Sequence, residues 1–194
     1  MSCDIIGGRT EQCKDAVSGL HAIYLVNYGD LDFPSLNQYG TSDNTDQIVA
    51  VQSDGLSFSI YKFELKGANS LEQTIESSRE NGTTFFNQTL TVQLKRQDVK
   101  STKNIKLIAY GRPRIIVHAR GDQFFLLGLD QGCDVTAGTI SSGSALGDFN
   151  GYNLTFTGME ELPANFINCT NETELKLLLQ NGAGGTGNCT IVTS

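Results

Sequence analysis

Apolar and polar positions along the chain alternate in a way that predicts strands with two helical interruptions. "LHAIYLVNY" (20–28) is nearly continuous in apolar residues between Gly19 and Gly29, the pattern of a mostly buried strand. "QIVAVQ" (47–52) is a short strand ending at the turn signal Asp54-Gly55. In "SFSIYKFELK" (57–66), Phe58, Ile60, Lys62 and Glu64 point one way, and Tyr61, Phe63 and Leu65 the other. Both of its faces are therefore partly covered. "TTFFNQTLTVQLKR" (83–96) has the longest alternation, with Phe86, Leu90, Val92 and Leu94 on one face and Asn87, Thr89, Thr91, Gln93 and Lys95 on the other. "PRIIVHAR" (113–120) and "DQFFLLGL" (122–129) are two strands joined tightly at Gly121. Residues 130–143 carry short polar strand or loop material. "YNLTFTG" (152–158) then alternates Tyr152, Leu154 and Phe156 with Asn153, Thr155 and Thr157.

The period changes to 3.6 in residues 97–111, where Val99, Thr102, Ile105 and Ile108 share one side. Asp98 is placed to cap the start of this helix and Gly111 its end. A second helix is expected in "TNETELKLLLQNG" (170–182). There Asn171 and Glu174 have capping-box spacing, Gly182 follows the last turn, and Leu175, Leu178 and Leu179 form the apolar stripe. The segment 69–82 reads either way: Leu71 and Ile75 have helical spacing, yet its Ser-rich and β-branched content also suits an edge strand or long hairpin closed at Asn81-Gly82. The expected fold is mainly β, an antiparallel β-sandwich or flattened barrel with one or two flanking α-helices. The expected organisation is an N-terminal arm (1–19), a sandwich domain (20–167) containing the helix at 97–110, and a C-terminal helix with a Gly-rich extended tail (168–194).

Composition narrows the function. The chain has 194 residues, of which 18% are charged, below the usual ~25%. Thr, Asn, Gln, Ser and Gly fill the gap, and they suit strands, turns and broad protein contacts. A net charge of −7 without any long Lys/Arg run argues against tight nucleic-acid binding. No basic-then-apolar leader opens the sequence and no run reaches the ~18 apolar residues of a membrane span. The cysteines Cys3, Cys13, Cys133, Cys169 and Cys189 are odd in number and contain no CxxC, so reduced thiols are expected. The six Asn-x-Ser/Thr sequons, at Asn81, Asn87, Asn153, Asn168, Asn171 and Asn188, are read as a by-product of a composition rich in Asn and Thr.

Candidate chemistry is sparse. "GAGGTG" (182–187) has the letters of a dinucleotide loop, but a helix precedes it and none follows, so no cofactor is expected. His21 and His118 fall in strands without further ligands at metal spacing. "RGD" (120–122) falls where a tight turn is needed. "GDFNGYN" (147–153) gathers Asp148, Asn150 and Asn153 oxygens but lacks the later bidentate Glu of a calcium loop. A turn explains it: Gly147 and Gly151 permit positive φ, Asp148 and Asn150 favour turns, and Tyr152 begins the strand. The adjacent Glu160 and Glu161 face opposite sides of a strand and read as a solvated strand end. With no acid/base constellation, no metal site and no cofactor loop, an enzyme is not expected.

The run "TAGTISSGSALGDFNGYNLTFTGMEELPANFI" follows a long alternating strand, a helix and two tight strands. In that order it resembles the tail-tube protein family of tailed bacteriophages. The matching residues are Gly143, Gly147, Asp148, Asn150, Gly151, Tyr152, Leu154, Phe156, Gly158, Glu160, Pro163 and Ala164. "CDIIGGRTEQCKDAVSGLHAIYLVNY" is also similar to tail proteins of phages of gut Bacteroidetes, including ring components of crAss-like phages. The resemblance implies a structural virion protein, made in the host bacterial cytoplasm and built into the tail. Its partners would be itself, in a six-fold or twelve-fold ring, and adjacent tail or portal-proximal ring proteins. DNA would pass through the lumen without tight binding, and no membrane would be involved. The hairpin residues Gly147, Asp148, Asn150, Gly151 and Tyr152 would be scaffold or subunit contact. The alternative is a carbohydrate-binding or attachment β-sandwich module of a phage particle, which would need exposed aromatics on one face. The absence of Trp counts against it.

Overall fold

The computed structural model describes residues 8–11, 14, 17–30, 37–39, 47–51, 57–180 and 189–193. Most of the predicted arm (1–19), the long polar loop after the first strand and the Gly-rich "GAGGTG" lie outside the described residues. The described residues are mainly β, with two helices. In order, the elements are β1 (Leu20–Val26), β2 (Asn37–Tyr39), β3 (Ile48–Val51), β4 (Phe58–Glu64), β5 (Ser70–Ser78), β6 (Thr83–Lys95), α1 (Val99–Tyr110), β7 (Arg114–Ala119), β8 (Gln123–Leu127), β9 (Asp134–Ser141), β10 (Gly151–Glu160), β11 (Asn165–Ile167), α2 (Glu172–Gln180) and β12 (Cys189–Thr193).

Two sheets form. The larger has eight strands in the order β12-β4-β1-β7-β8-β11-β3-β2, and the smaller four in the order β5-β6-β10-β9. Pairing is antiparallel except between β11 and β3 and between β12 and β4. The continuous apolar runs of β1 and β7 arise because the large sheet is covered on both faces. One face sends Ala22, Tyr24, Val26 and Ile116 into a core with Leu175, Leu178 and Leu179 of α2. The other sends Ile23, Leu25, Ile115 and Val117 against Leu90, Val92, Tyr152, Leu154 and Phe156 of the small sheet, with Ile105 of α1 closing the side. Each such fully buried side chain contributes about 1.5–3 kcal/mol. The large sheet is curled, because α2 touches both β3 and β12, which lie near its opposite ends.

Local signals account for the helices. The Asp98 carboxylate accepts from the Ser101 amide at 3.1 Å, and the Gly111 amide donates to the Leu107 and Ile108 carbonyls, as the caps predict. Asn171 caps α2 by accepting from the Glu174 amide at 2.9 Å. The Glu174 carboxylate reaches back to the amide and hydroxyl of Thr170, one residue earlier than a standard capping box.

Three segments differ from, or settle, the reading of the sequence. Within residues 69–82, Ser70–Ser78 form the edge strand β5, not a helix, because pairing with β6 uses the backbone a helix would need, and 79–82 turn into β6. Residues 134–141 are a full strand, β9, paired with β10. Glu160 is not a solvated strand end. It is 5% exposed, and its carboxylate accepts from the amides of Asp130 and Gln131. Glu161 is exposed, as expected.

Candidate functional site

The feature with functional shape is the outward face of the small sheet together with its two edges. The registers align Thr155 with Thr91 and Ser70, Thr157 with Thr89 and Glu72, and Met159 with Asn87 and Thr74. Alternation turns all of these away from Tyr152, Leu154 and Phe156 in the core. The result is a wide lawn of hydroxyl and amide groups, tied in part by the 2.8 Å contact between the Thr136 and Thr157 hydroxyls. Lys95 stands at one end of it, and Glu72 and Glu76 lie on β5. β5 and β9 each pair on one side only among the described residues. They are nine and eight residues long, so each leaves about 25–30 Å of unpaired backbone donors and acceptors.

The predicted hairpin is present: residues 142–150 connect β9 to β10. Asp148 staples it by accepting from the Ser144 amide at 2.9 Å, the Ser144 hydroxyl at 2.9 Å and the Ala145 amide at 2.7 Å. Those three donors, all on Oδ2, hold its carboxyl below the ordinary range. Gly147 lies in the turn, as read, but has open space around it and is not at positive φ; Gly143 is, at φ 73°, where a Cβ would lie 2.8 Å from the Asp148 Cβ. Gly151 is needed for closeness: a Cβ there would sit 2.1 Å from the Leu94 carbonyl oxygen. The Asn150 carbonyl accepts from the Arg96 amide at 2.7 Å. The Tyr152 hydroxyl lies 2.6 Å from that of Thr102 and donates to the Asp98 carbonyl at 3.2 Å, fixing the first turn of α1 to the sheet. Leu146, at the hairpin tip, is fully exposed.

A second knot of polar residues holds the passage from β8 in one sheet to β9 in the other. Gly128 and Gly132 approach so closely that a Cβ on Gly128 would lie 2.6 Å from Gly132. Gln88, 1% exposed, accepts from the Gly128 amide and donates to the Leu162 carbonyl. Glu160 holds the amides of Asp130 and Gln131. Burial raises its carboxyl above the ordinary range, against the pull of those amides. The guanidinium groups of Arg112 and Arg114 lie 5.1 and 4.5 Å from the Tyr28 ring centroid, and the Tyr28 hydroxyl donates to the Asp130 carbonyl. Sequence reading missed Gln88 and placed Glu160 in solvent. The only signal was a polar residue at an inward position of a strand.

His118 stacks on Phe124 at 4.1 Å and meets His21 edge-on, and burial lowers its basicity. Among the described residues, no group of three or more His, Cys, Asp or Glu could hold a metal. Cys133, Cys169 and Cys189 are buried free thiols. Arg120, Gly121 and Asp122 occupy the β7–β8 turn, with Gly121 and Asp122 at positive φ. A cleft of about 360 Å³ between α1 and the β1–β4 pair is lined chiefly by Leu25, Tyr28, Tyr61, Phe63, Leu107 and Ile108. No described helix is long and apolar enough to cross a membrane.

Comparison with known proteins gave no matching family model, no similar curated protein and no similar solved structure.

Proposed function

We propose that the chain is a structural protein of a bacteriophage tail, forming a homo-oligomeric ring that serves as a tail-tube-like conduit for DNA. The observation that carries this reading is the small sheet: one face buried, the other a polar lawn, and an unpaired edge of similar length on each side. Edge-to-edge addition of copies would satisfy the backbone groups of both edges and continue the lawn from subunit to subunit. A head-to-tail join of different edges generates a closed ring when the rotation per copy closes. The lawn then faces the lumen. Hydroxyl and amide groups wet such a wall, and the negative balance of the chain keeps phosphate from sticking to it. The subunit needs no catalytic group for this role.

Electron microscopy and mass photometry of the purified chain test the reading. Closed rings of fixed subunit number are the expected result. A chain that remains monomeric up to high micromolar concentration overturns it. The attachment-module alternative gains no support from the lawn, which presents Thr and Asn where a sugar platform presents aromatic rings.

A further inference from the structure

A basic helix flanks one edge of the small sheet and the opposite edge strand is itself acidic; β9 between them carries a single charged residue, Asp134. Residues 95–112 hold Lys95, Arg96, Lys100, Lys103, Lys106 and Arg112, six of the 14 Lys and Arg in the chain. All six are exposed. The single carboxylate in that stretch, Asp98, is committed to the cap of α1. The local balance is +5 in a chain of net −7, so the remaining residues together carry −12. Among the described residues, no carboxylate lies within ion-pair distance of Lys100, Lys103 or Lys106. This basic helix lies against β9: α1 contacts that strand, and Gln97, just before the helix, donates to the Ser141 carbonyl at 2.7 Å.

The far edge, β5, bears Glu72 and Glu76, and Glu80 follows in the turn; all are exposed, with Arg79 as the one nearby cation. Each edge also leaves one large apolar side chain bare. Ile75 on β5 is 65% exposed and Ile140 on β9 is 57% exposed. Both belong to the inward side of the sheet, since Ile75 aligns with Phe86 and Ile140 with Tyr152.

We infer that α1 and β9 of one copy form the docking surface for β5 of a second copy, with opposite charge selecting the head-to-tail arrangement. The inference rests on the ring reading above and names the surfaces that would make the seam. Like-to-like pairing of β5 with β5, or β9 with β9, puts equal charges together and is disfavoured. The mixed seam joins unlike charges and places Ile75 of one copy on the same side of the continuous sheet as Ile140 of the next. Exposed charges act here through their summed field more than through fixed pairs, so the attraction is screened by salt over about 8–10 Å.

The test is a charge-swap pair. One variant carries Lys100→Glu, Lys103→Glu and Lys106→Glu; the other carries Glu72→Lys, Glu76→Lys and Glu80→Lys. All six positions are exposed, and circular dichroism confirms the fold of each. Each variant alone should associate roughly tenfold or more weakly than wild type, given the modest worth of each surface pair. An equimolar mixture should regain association as alternating 1:1 assemblies in native mass spectrometry, because each reversed surface then meets its opposite. Wild-type association should also weaken as sodium chloride is raised. Wild-type-like association of either variant alone, a mixture that stays dissociated, or salt-insensitive wild-type assembly would overturn the inference while leaving the ring reading standing. A wild type that never associates overturns both.

Discussion

Glu160 gives the sharpest test of how the two sheets are held together. Replacing it with Ala removes the acceptor for the Asp130 and Gln131 amides, which lie 2.9–3.2 Å from its oxygens, at the bend where the chain leaves one sheet for the other. Hydrogen bonds to a charged acceptor contribute about 1.5–3 kcal/mol each when isolated, and the partly exposed bend lowers that, so Glu160→Ala should cost roughly 2–3 kcal/mol in total. For a domain of this size that is a fall in Tm of about 4–12 °C. Glu160→Gln keeps one oxygen able to accept from both amides and removes a buried charge, so it should cost less than about 1 kcal/mol at neutral pH. The pH dependence follows from the raised carboxyl. Its folded-state value lies above its unfolded value, so its contribution is full below the ordinary carboxylate range and is lost as pH rises through the folded value. The stability of wild type relative to Glu160→Gln should therefore shrink from pH 4 to pH 7. Thermal unfolding followed by circular dichroism at the two pH values reads both effects. An Ala variant melting within about 2 °C of wild type, or a wild-type advantage that grows towards pH 7, would refute the account.

Tyr152→Phe should lose about 1–2 kcal/mol in urea unfolding, since it removes the hydroxyl shared with Thr102 and Asp98 and leaves the ring packed. Leu179→Ala, fully buried between α2 and the curled sheet, should cost about 2–5 kcal/mol in the same assay. Cys133, Cys169 and Cys189 should resist an aromatic disulfide reagent at pH 8 until denaturant is added, because burial raises all three thiols, Cys169 to about 12 and Cys189 to about 11.

The strands that proved legible from sequence are those with one unambiguous face. In β6 and β10 the alternation of Leu90, Val92 and Leu94, and of Tyr152, Leu154 and Phe156, matches the burial directly. The caps of α1 were legible for the same reason: Asp98 and Gly111 act on backbone groups a few residues away. β5 was ambiguous because its inward positions are only partly covered, so Ile75 stays exposed and no clean period results. β12 and β11 were beyond reach because their partners, β4 and β8, are set by the tertiary path. Gln88 and Glu160 look like any other polar strand residue until the loop at 128–133 folds over them. The hairpin at 142–150 was recognised, yet its left-handed glycine was misplaced, since only the Asp148 contacts distinguish Gly143 from Gly147. The charge separation between α1 and β5 escaped a linear scan because helical spacing spreads the six cations over 18 positions, and the strand order alone sets the two surfaces apart.

The parallel strand β12 lies beside β4, about 130 positions earlier in the chain. The margin of β4 therefore lacks its neighbour until residues 189–193 have left the ribosome. Contacts so far apart in sequence form slowly, and a bare strand margin invites intermolecular adhesion in the interval. A recombinant chain cut short before Cys189 should accordingly tend to precipitate during expression, whereas tags attached after Thr193 leave the completed sheet intact.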